Sequence, residues 1–234
     1  MTTREKILLT SQKLFFEKGY SNTSIQAIID AVGIAKGTFY HHFKSKHELL
    51  EELTDMLVAK EVTDTKTYIL DSNEDAITKM NTIHHKHIQW KSKNMDMMMV
   101  VFQAMYADSN SPFRVMMQEK SVHQNLFIYN TLIQQGIEEG VFNTPFPDDI
   151  GKMILKLSHD SADELALILL HHDTIDNPYE KACQSVKLMF HTIERLLGAE
   201  PNLIEIIDLN ILKQFFDHLE KTPLNGKDHK GGTL

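Results

Sequence analysis

The chain has 234 residues, 42% of them hydrophobic, a net charge of −8 and one cysteine, Cys183. That length supports one large or two modest domains with real cores, and a lone cysteine excludes an intramolecular disulfide and suits a reducing compartment. The opening MTTREKILLTSQKLFF has no continuous apolar segment, and no run approaches the roughly 18 apolar residues of a membrane helix, so neither a signal peptide nor a membrane span is expected and a cytoplasmic location is. The acidity is uneven: residues 1–50 hold seven Lys and Arg against four Asp and Glu, the remainder 17 against 28, so a small basic head sits on an acidic body, a distribution that suits contact with DNA by the head alone.

Few prolines and glycines, placed between periodic segments, predict an all-α protein. A first helix over residues 4–18 has Ile7, Leu8, Leu14 and Phe15 near one face and Gly19 as its stop. Thr23 and Gln26 have capping-box spacing for a second helix that ends near Ala31, with Ile25, Ile28 and Ile29 as its buried stripe. Gly33 supplies the turn. A short third helix runs from Ala35 to His41, with Phe39 inward and Lys36, Thr38, Tyr40 and His41 outward. Ser45 and Glu48 repeat the capping-box spacing and open a helix expected to reach about Thr65. Two short helices about a three-residue glycine turn make the helix-turn-helix pattern, whose second helix enters the DNA major groove. The outward donors are what phosphate oxygens and base edges require.

The body reads as further helices: about 73–91, 95–106, one through Val122 to Ile137 that follows a break at Ser111-Pro112, 148–171, 178–197 and 202–221. The tail 222–234 is polar and glycine-rich and is expected to be disordered. The helices at 148–171 and 178–197 are apolar over wide faces, Ile150, Ile154, Leu157, Leu165, Ile168 and Leu169 on one, Ala182, Val186, Met189, Ile193 and Leu196 on the other. These faces pack either within the monomer or against a two-fold partner as a four-helix bundle. A run dense in methionine, with Trp90 before it and aromatic residues within and beyond it, suits an adaptable apolar cavity; Trp90, Met98, Phe102, Met105, Tyr106, Phe127 and Tyr129 are its candidate lining. Histidines are numerous, and His84 and His87 lie three apart on a helix, but no paired cysteines and no zinc-protease motif accompany them, so no metal and no cofactor is expected. No phosphate loop, nucleophile elbow or triad signature supports catalysis.

The stretch FFEKGYSNTSIQAIIDAVGIAKGTFYHHFKSKHELL resembles the DNA-binding domain of the TetR family of bacterial transcriptional regulators, in order and without gaps over about residues 4–55. One position departs: Ala35 stands where the family usually has Ser or Thr, so the third helix lacks a side-chain cap. The resemblance implies a helix-turn-helix domain at 1–48 and a helical ligand-binding and dimerisation domain at 49–221. It implies a homodimer through about 148–197, a near-palindromic double-stranded operator and a small-molecule effector that releases DNA. Resemblance and donor chemistry together make Thr23, Ser24, Tyr40, Lys44 and Lys46 candidate phosphate contacts and place Lys36, Gly37, Thr38 and His41 at the groove. The competing readings are a helical ligand-binding or enzymatic bundle with a purely structural N-terminal hairpin, and a DNA-binding activator.

Overall fold

A computed structural model describes residues 1–205 and 209–221. Those residues form ten α-helices and one 3-10 turn, with no strand among them: α1 Thr3–Lys18, α2 Ile25–Val32, α3 Lys36–His42, α4 Lys46–Asp71, α5 Ala76–Lys93, α6 Met95–Tyr106, the turn Asp108–Asn110, α7 Ser111–Glu138, α8 Ile150–Leu170, α9 Pro178–Leu197 and α10 Leu209–Lys221. The expected tail at 222–234 and the stretch 206–208 lie outside the described residues.

Apolar side chains gather in two cores. The first unites Ile7, Phe15, Ile28, Phe39 and Phe43 with Leu49, Leu50 and Leu53 of α4, and it also takes in Phe113 from the start of α7. The second fills the body, from Val62 and Ile69 of α4 through Met80, Ile133, Ile154 and Phe190 to Leu219. Helix α4 therefore contributes to both. It continues past the predicted end near Thr65 to Asp71. Three threonines weaken the helix there, but burial of Val62 and Ile69 against the body offsets their low propensity. Alongside it α7 runs in the same direction: Asp55 pairs with Lys120 at 2.9 Å, and further along the Lys66 ammonium lies 4.9 Å from the Phe127 ring.

Helix α7 begins at Ser111, earlier than the apolar spacing indicated, because Pro112 occupies its first turn, where the missing N–H costs nothing. At the other extreme, residues 202–205 are not helical, and α10 is described from Leu209. Asn202 has φ +64, and the segment after it is pinned across its neighbours: the Ile204 N–H donates to Glu194 at 3.1 Å and the Glu205 N–H to Asn81 at 3.0 Å. Those backbone bonds take the place of the expected first turn.

The apolar faces of α8 and α9 pack largely within the monomer. Ile150, Ile154, Ile168, Leu169, Ala182, Val186 and Ile193 are all buried. Outward, Met153, Leu167 and Leu188 stay exposed. Among the described residues no helix is long and apolar enough to cross a membrane.

Where α9 ends, Gly198 adopts φ +62, and a Cβ there would fall 2.0 Å from the Asn143 carbonyl oxygen. Replacing Gly198 with alanine combines a left-handed backbone with a backbone clash. Urea unfolding should show a loss of at least about 2 kcal/mol.

Candidate functional site

The head is held by its aromatic centre. Phe39 and Phe43 are fully buried with ring centroids 6.0 Å apart, and Arg4 covers Phe43 at 5.3 Å while pairing with Glu52. Gly33 takes φ +75 between α2 and α3, a conformation in which a side chain would be strained. Anchoring by Phe39 leaves one side of α3 in solvent, and Lys36, Gly37, Tyr40 and His41 are exposed there, with Thr38 half-buried beside them. No side chain caps α3, because Ala35 stands at its start.

Ser24, not Thr23, caps α2: its hydroxyl oxygen accepts the Ala27 N–H at 3.0 Å. Gln26 does not complete the expected capping box and donates instead to Asp30 at 2.8 Å. Thr23 is buried, and its hydroxyl donates to the Gly19 carbonyl at 2.8 Å. Its polar atom is thus spent inside the head, which removes it from the candidate phosphate contacts. Ser45 caps α4 through the Glu48 N–H at 3.0 Å, while the Glu48 carboxylate reaches back to the Lys44 N–H at 2.6 Å. The Lys44 side chain remains exposed.

Lys46, half-buried, is also engaged within the head. Its ammonium donates to the carbonyls of Tyr20 and Thr23 at 2.9 and 3.1 Å and lies 4.2 Å from the Tyr20 ring centroid. Burial lowers its pKa and raises that of Tyr20. The charge ties the α1–α2 corner to the start of α4, which leaves one ammonium N–H for a further partner. Ser24, Lys36, Gly37, Thr38, Tyr40, His41 and Lys44 are left on the outer side of the head.

The expected effector residues divide. Met98 is buried; Phe102, Tyr106 and Tyr129 are half-buried in the body, and Met105 is half-buried against the core of the head. Burial pushes the Tyr129 phenol up to about 12. The Tyr106 phenol is also raised, first by burial and then by its bond to Asp163 at 2.5 Å. Gln118 donates to both oxygens of the same carboxylate at 2.8 and 2.7 Å. This clasp of α6, α7 and α8 was not legible, since Asp163 lies among other acidic residues with no spacing to single it out. Trp90 and Phe127 face outward, at 53% and 51% exposure. Trp90 lies in the last turn of α5, beyond its last buried residue, Ile83; Phe127 is one position off the buried stripe Ile128, Leu132 and Ile133.

His84 occupies the body core, edge-on to Phe190 at 5.5 Å between ring centroids. Burial, reinforced by His87 and His85, lowers its pKa from 6.5 to about 4. Below pH 6.5 the unfolded chain takes up a proton that the folded core refuses, so stability present above pH 6.5 is lost as the pH falls toward 4. The loss through this group should reach about 3 kcal/mol. Urea unfolding at several pH values should show a shallower acid loss in H84Q than in the unsubstituted protein.

Comparison with known proteins agrees with this geometry. The family model described as bacterial regulatory proteins, tetR family, matches residues 7–53, the helices of the head. The transcriptional repressor KstR2 of Mycobacterium tuberculosis is 28% identical over 154 residues, covering 63% of this chain and 72% of the relative. Among solved structures, a TetR-family transcriptional regulator from Pectobacterium atrosepticum aligns over 83% of this chain and 94% of its own, with 20% identity and a TM-score of 0.57. FadR of Bacillus subtilis, solved in complex with stearoyl-CoA, aligns over 87% and 99%, with 17% identity and a TM-score of 0.56. The head's sequence, its glycine turn with an outward α3 and the all-helical body therefore converge: residues 7–53 carry the DNA-binding domain of the TetR family of bacterial regulatory proteins, and the described residues share the fold of TetR-family transcriptional regulators.

Proposed function

We propose that the protein is a cytoplasmic, homodimeric repressor that leaves its operator when a small, largely apolar effector enters the body. The observation that carries the DNA reading is the outward side of α3, where Lys36, Gly37, Tyr40 and His41 are exposed on a helix anchored by Phe39. Residues 1–48 act as the DNA-binding domain and 49–221 as the effector and dimerisation domain. Lys36 reads a base edge in the major groove, and Gly37 allows the backbone to approach. Ser24, Tyr40 and Lys44 hold phosphates, with Thr38 and His41 at the groove wall. Without a side-chain cap, the first N–H groups of α3 stay open to a phosphate.

Dimerisation through α8 and α9 uses their outer sides. Met153 and Leu167 are fourteen residues apart and so lie on one side of α8, and Leu188 is the exposed apolar residue of α9. An open groove of about 710 Å³ beside Leu188, bounded by Tyr179, Cys183 and Leu209, extends this surface. Two heads brought together match two half-sites of a near-palindromic operator. The effector lodges among Met98, Phe102, Met105, Tyr106 and Tyr129, and it favours a conformation in which the heads no longer match.

Selection from random DNA, followed by binding at several salt concentrations, tests the DNA reading. A near-palindromic sequence should emerge and bind with steep salt dependence. K36A should change base preference at one position of each half-site, whereas K44A should weaken all sequences alike. G37A should leave the fold intact, since nothing lies within 4 Å of an added Cβ, and gain up to about 1 kcal/mol of helix stability, yet bind the operator less tightly. Stearoyl-CoA and lauroyl-CoA, held by FadR proteins of the same fold, are the first probes for release. An unselective pool, or equal losses for K36A and K44A on every sequence, would refute these assignments.

A further inference from the structure

The turn between α6 and α7 meets the corner between α1 and α2 through one buried side chain. Asn110 is 1% exposed although it belongs to a short turn. Both ends of its amide go to backbone. Nδ2 donates to the carbonyls of Phe15 at 2.9 Å and Ala104 at 2.7 Å, and Oδ1 accepts the Tyr20 N–H at 2.6 Å. Phe15 is in the last turn of α1, and Tyr20 is the first residue past its Gly19 stop; Ala104 is in the last turn of α6. One amide therefore bonds the last turns of two helices, the first in the head and the second in the body.

The surroundings make this a fitted joint. The Ser21 N–H donates to the Ser109 carbonyl at 2.8 Å. Ser109 packs on Gly19 so closely that a Cβ there would lie 2.0 Å from its hydroxyl oxygen. Phe113 completes the contact from α7, with its ring centroid 6.3 Å from that of Phe15 and 5.9 Å from that of Phe16. Apolar contacts of this kind hold two bodies together but are non-directional. Hydrogen bonds to fixed backbone groups constrain orientation as well. Helix α4 connects head and body at another place, and a single helix still permits bending. The second attachment removes that freedom.

We infer that Asn110 is the positioning residue that fixes the attitude of each DNA-binding head on its body, and through it the separation of the two α3 helices in the dimer. This rests on the dimeric DNA-binding reading above. The chemistry is specific to the amide. Aspartate would set a carboxylate oxygen against the Phe15 carbonyl, and leucine would take this partner from the Tyr20 N–H and the Ala104 carbonyl while the Phe15 carbonyl kept only the Gly19 N–H. The joint also regulates: Ala104 precedes Met105 and Tyr106 of the effector region, so a displacement of the end of α6 reaches the head through Asn110.

The test uses full-length protein and N110A, with N110S as the milder variant should N110A not fold. Hydrogen exchange without DNA should be at least about tenfold faster at the Tyr20 amide in the variant, with the Ile28 amide unchanged. Affinity is then measured for the selected operator, for the same operator with two base pairs inserted between half-sites, and for one isolated half-site. The preference for native over lengthened spacing should fall at least about fivefold, while half-site affinity stays within about twofold. Unchanged Tyr20 exchange, or an unchanged spacing preference, would overturn the proposal. So would equal losses on all three DNAs, which would mean that Asn110 only helps the head to fold. Unsubstituted protein that binds none of the three would refute the DNA-binding reading itself, and the exchange result would still decide the joint.

Discussion

Helix α4 belongs to two cores at once, and that continuity constrains everything around it. Leu49, Leu50 and Leu53 close the head, while Val62 and Ile69, further along the same helix, are buried in the body. At about 1.5 Å per residue its 26 residues span roughly 39 Å. Close-packed interiors transmit displacements instead of absorbing them. A shift of the body end of α4 must therefore be taken up by bending, by repacking or by motion of the head. Its long contact with α7, fastened by Lys120 on Asp55, limits the first two.

Buried and half-buried polar groups are placed where elements meet. Lys46 bonds the α1–α2 corner, Asn110 bonds α1 to α6, and Asp163 collects Tyr106 and Gln118 from two other helices. In the body Lys79, 5% exposed, donates to the Ile69 carbonyl at 3.1 Å and to Gln135 at 3.0 Å. Each such group would cost free energy if left unpaired. Their stabilisation is modest once paired, but the penalty for misalignment is large, so they specify relative orientation more than they add stability.

The head shows a different economy. Helix α3 has seven residues, no side-chain cap and one fully buried side chain, Phe39. A helix that short is not stable alone; packing of Phe39 on Phe43, with Gly33 in the left-handed turn, holds it. The same minimal anchoring leaves most of its surface uncommitted, which is what a helix meant for a groove requires. The tightest neighbours of the candidate contacts are thus structural: Thr23 and Lys46 hold the scaffold while Lys36, Tyr40 and His41 stay outside it.

Local rules carried much of this protein. The ten helices, the left-handed turn at Gly33, the inward Phe39, the missing cap at Ala35 and the family of the head all follow from apolar periodicity, glycine placement and contiguous residues, because each depends on neighbours within a few positions. The tertiary structure decided what distant partners decide. It extended α4 beyond its threonines and tied residues 204 and 205 to Glu194 and Asn81 where a helical turn was expected. It turned Thr23 inward, bonded Lys46 within the head, put Trp90 and Phe127 outside, and covered most of the named faces of α8 and α9 within one monomer. Asn110 is the clearest case. In sequence it is one polar residue in a Ser-Asn-Ser turn, and only the approach of Phe15 and Tyr20, about 90 positions away, gives its amide a task.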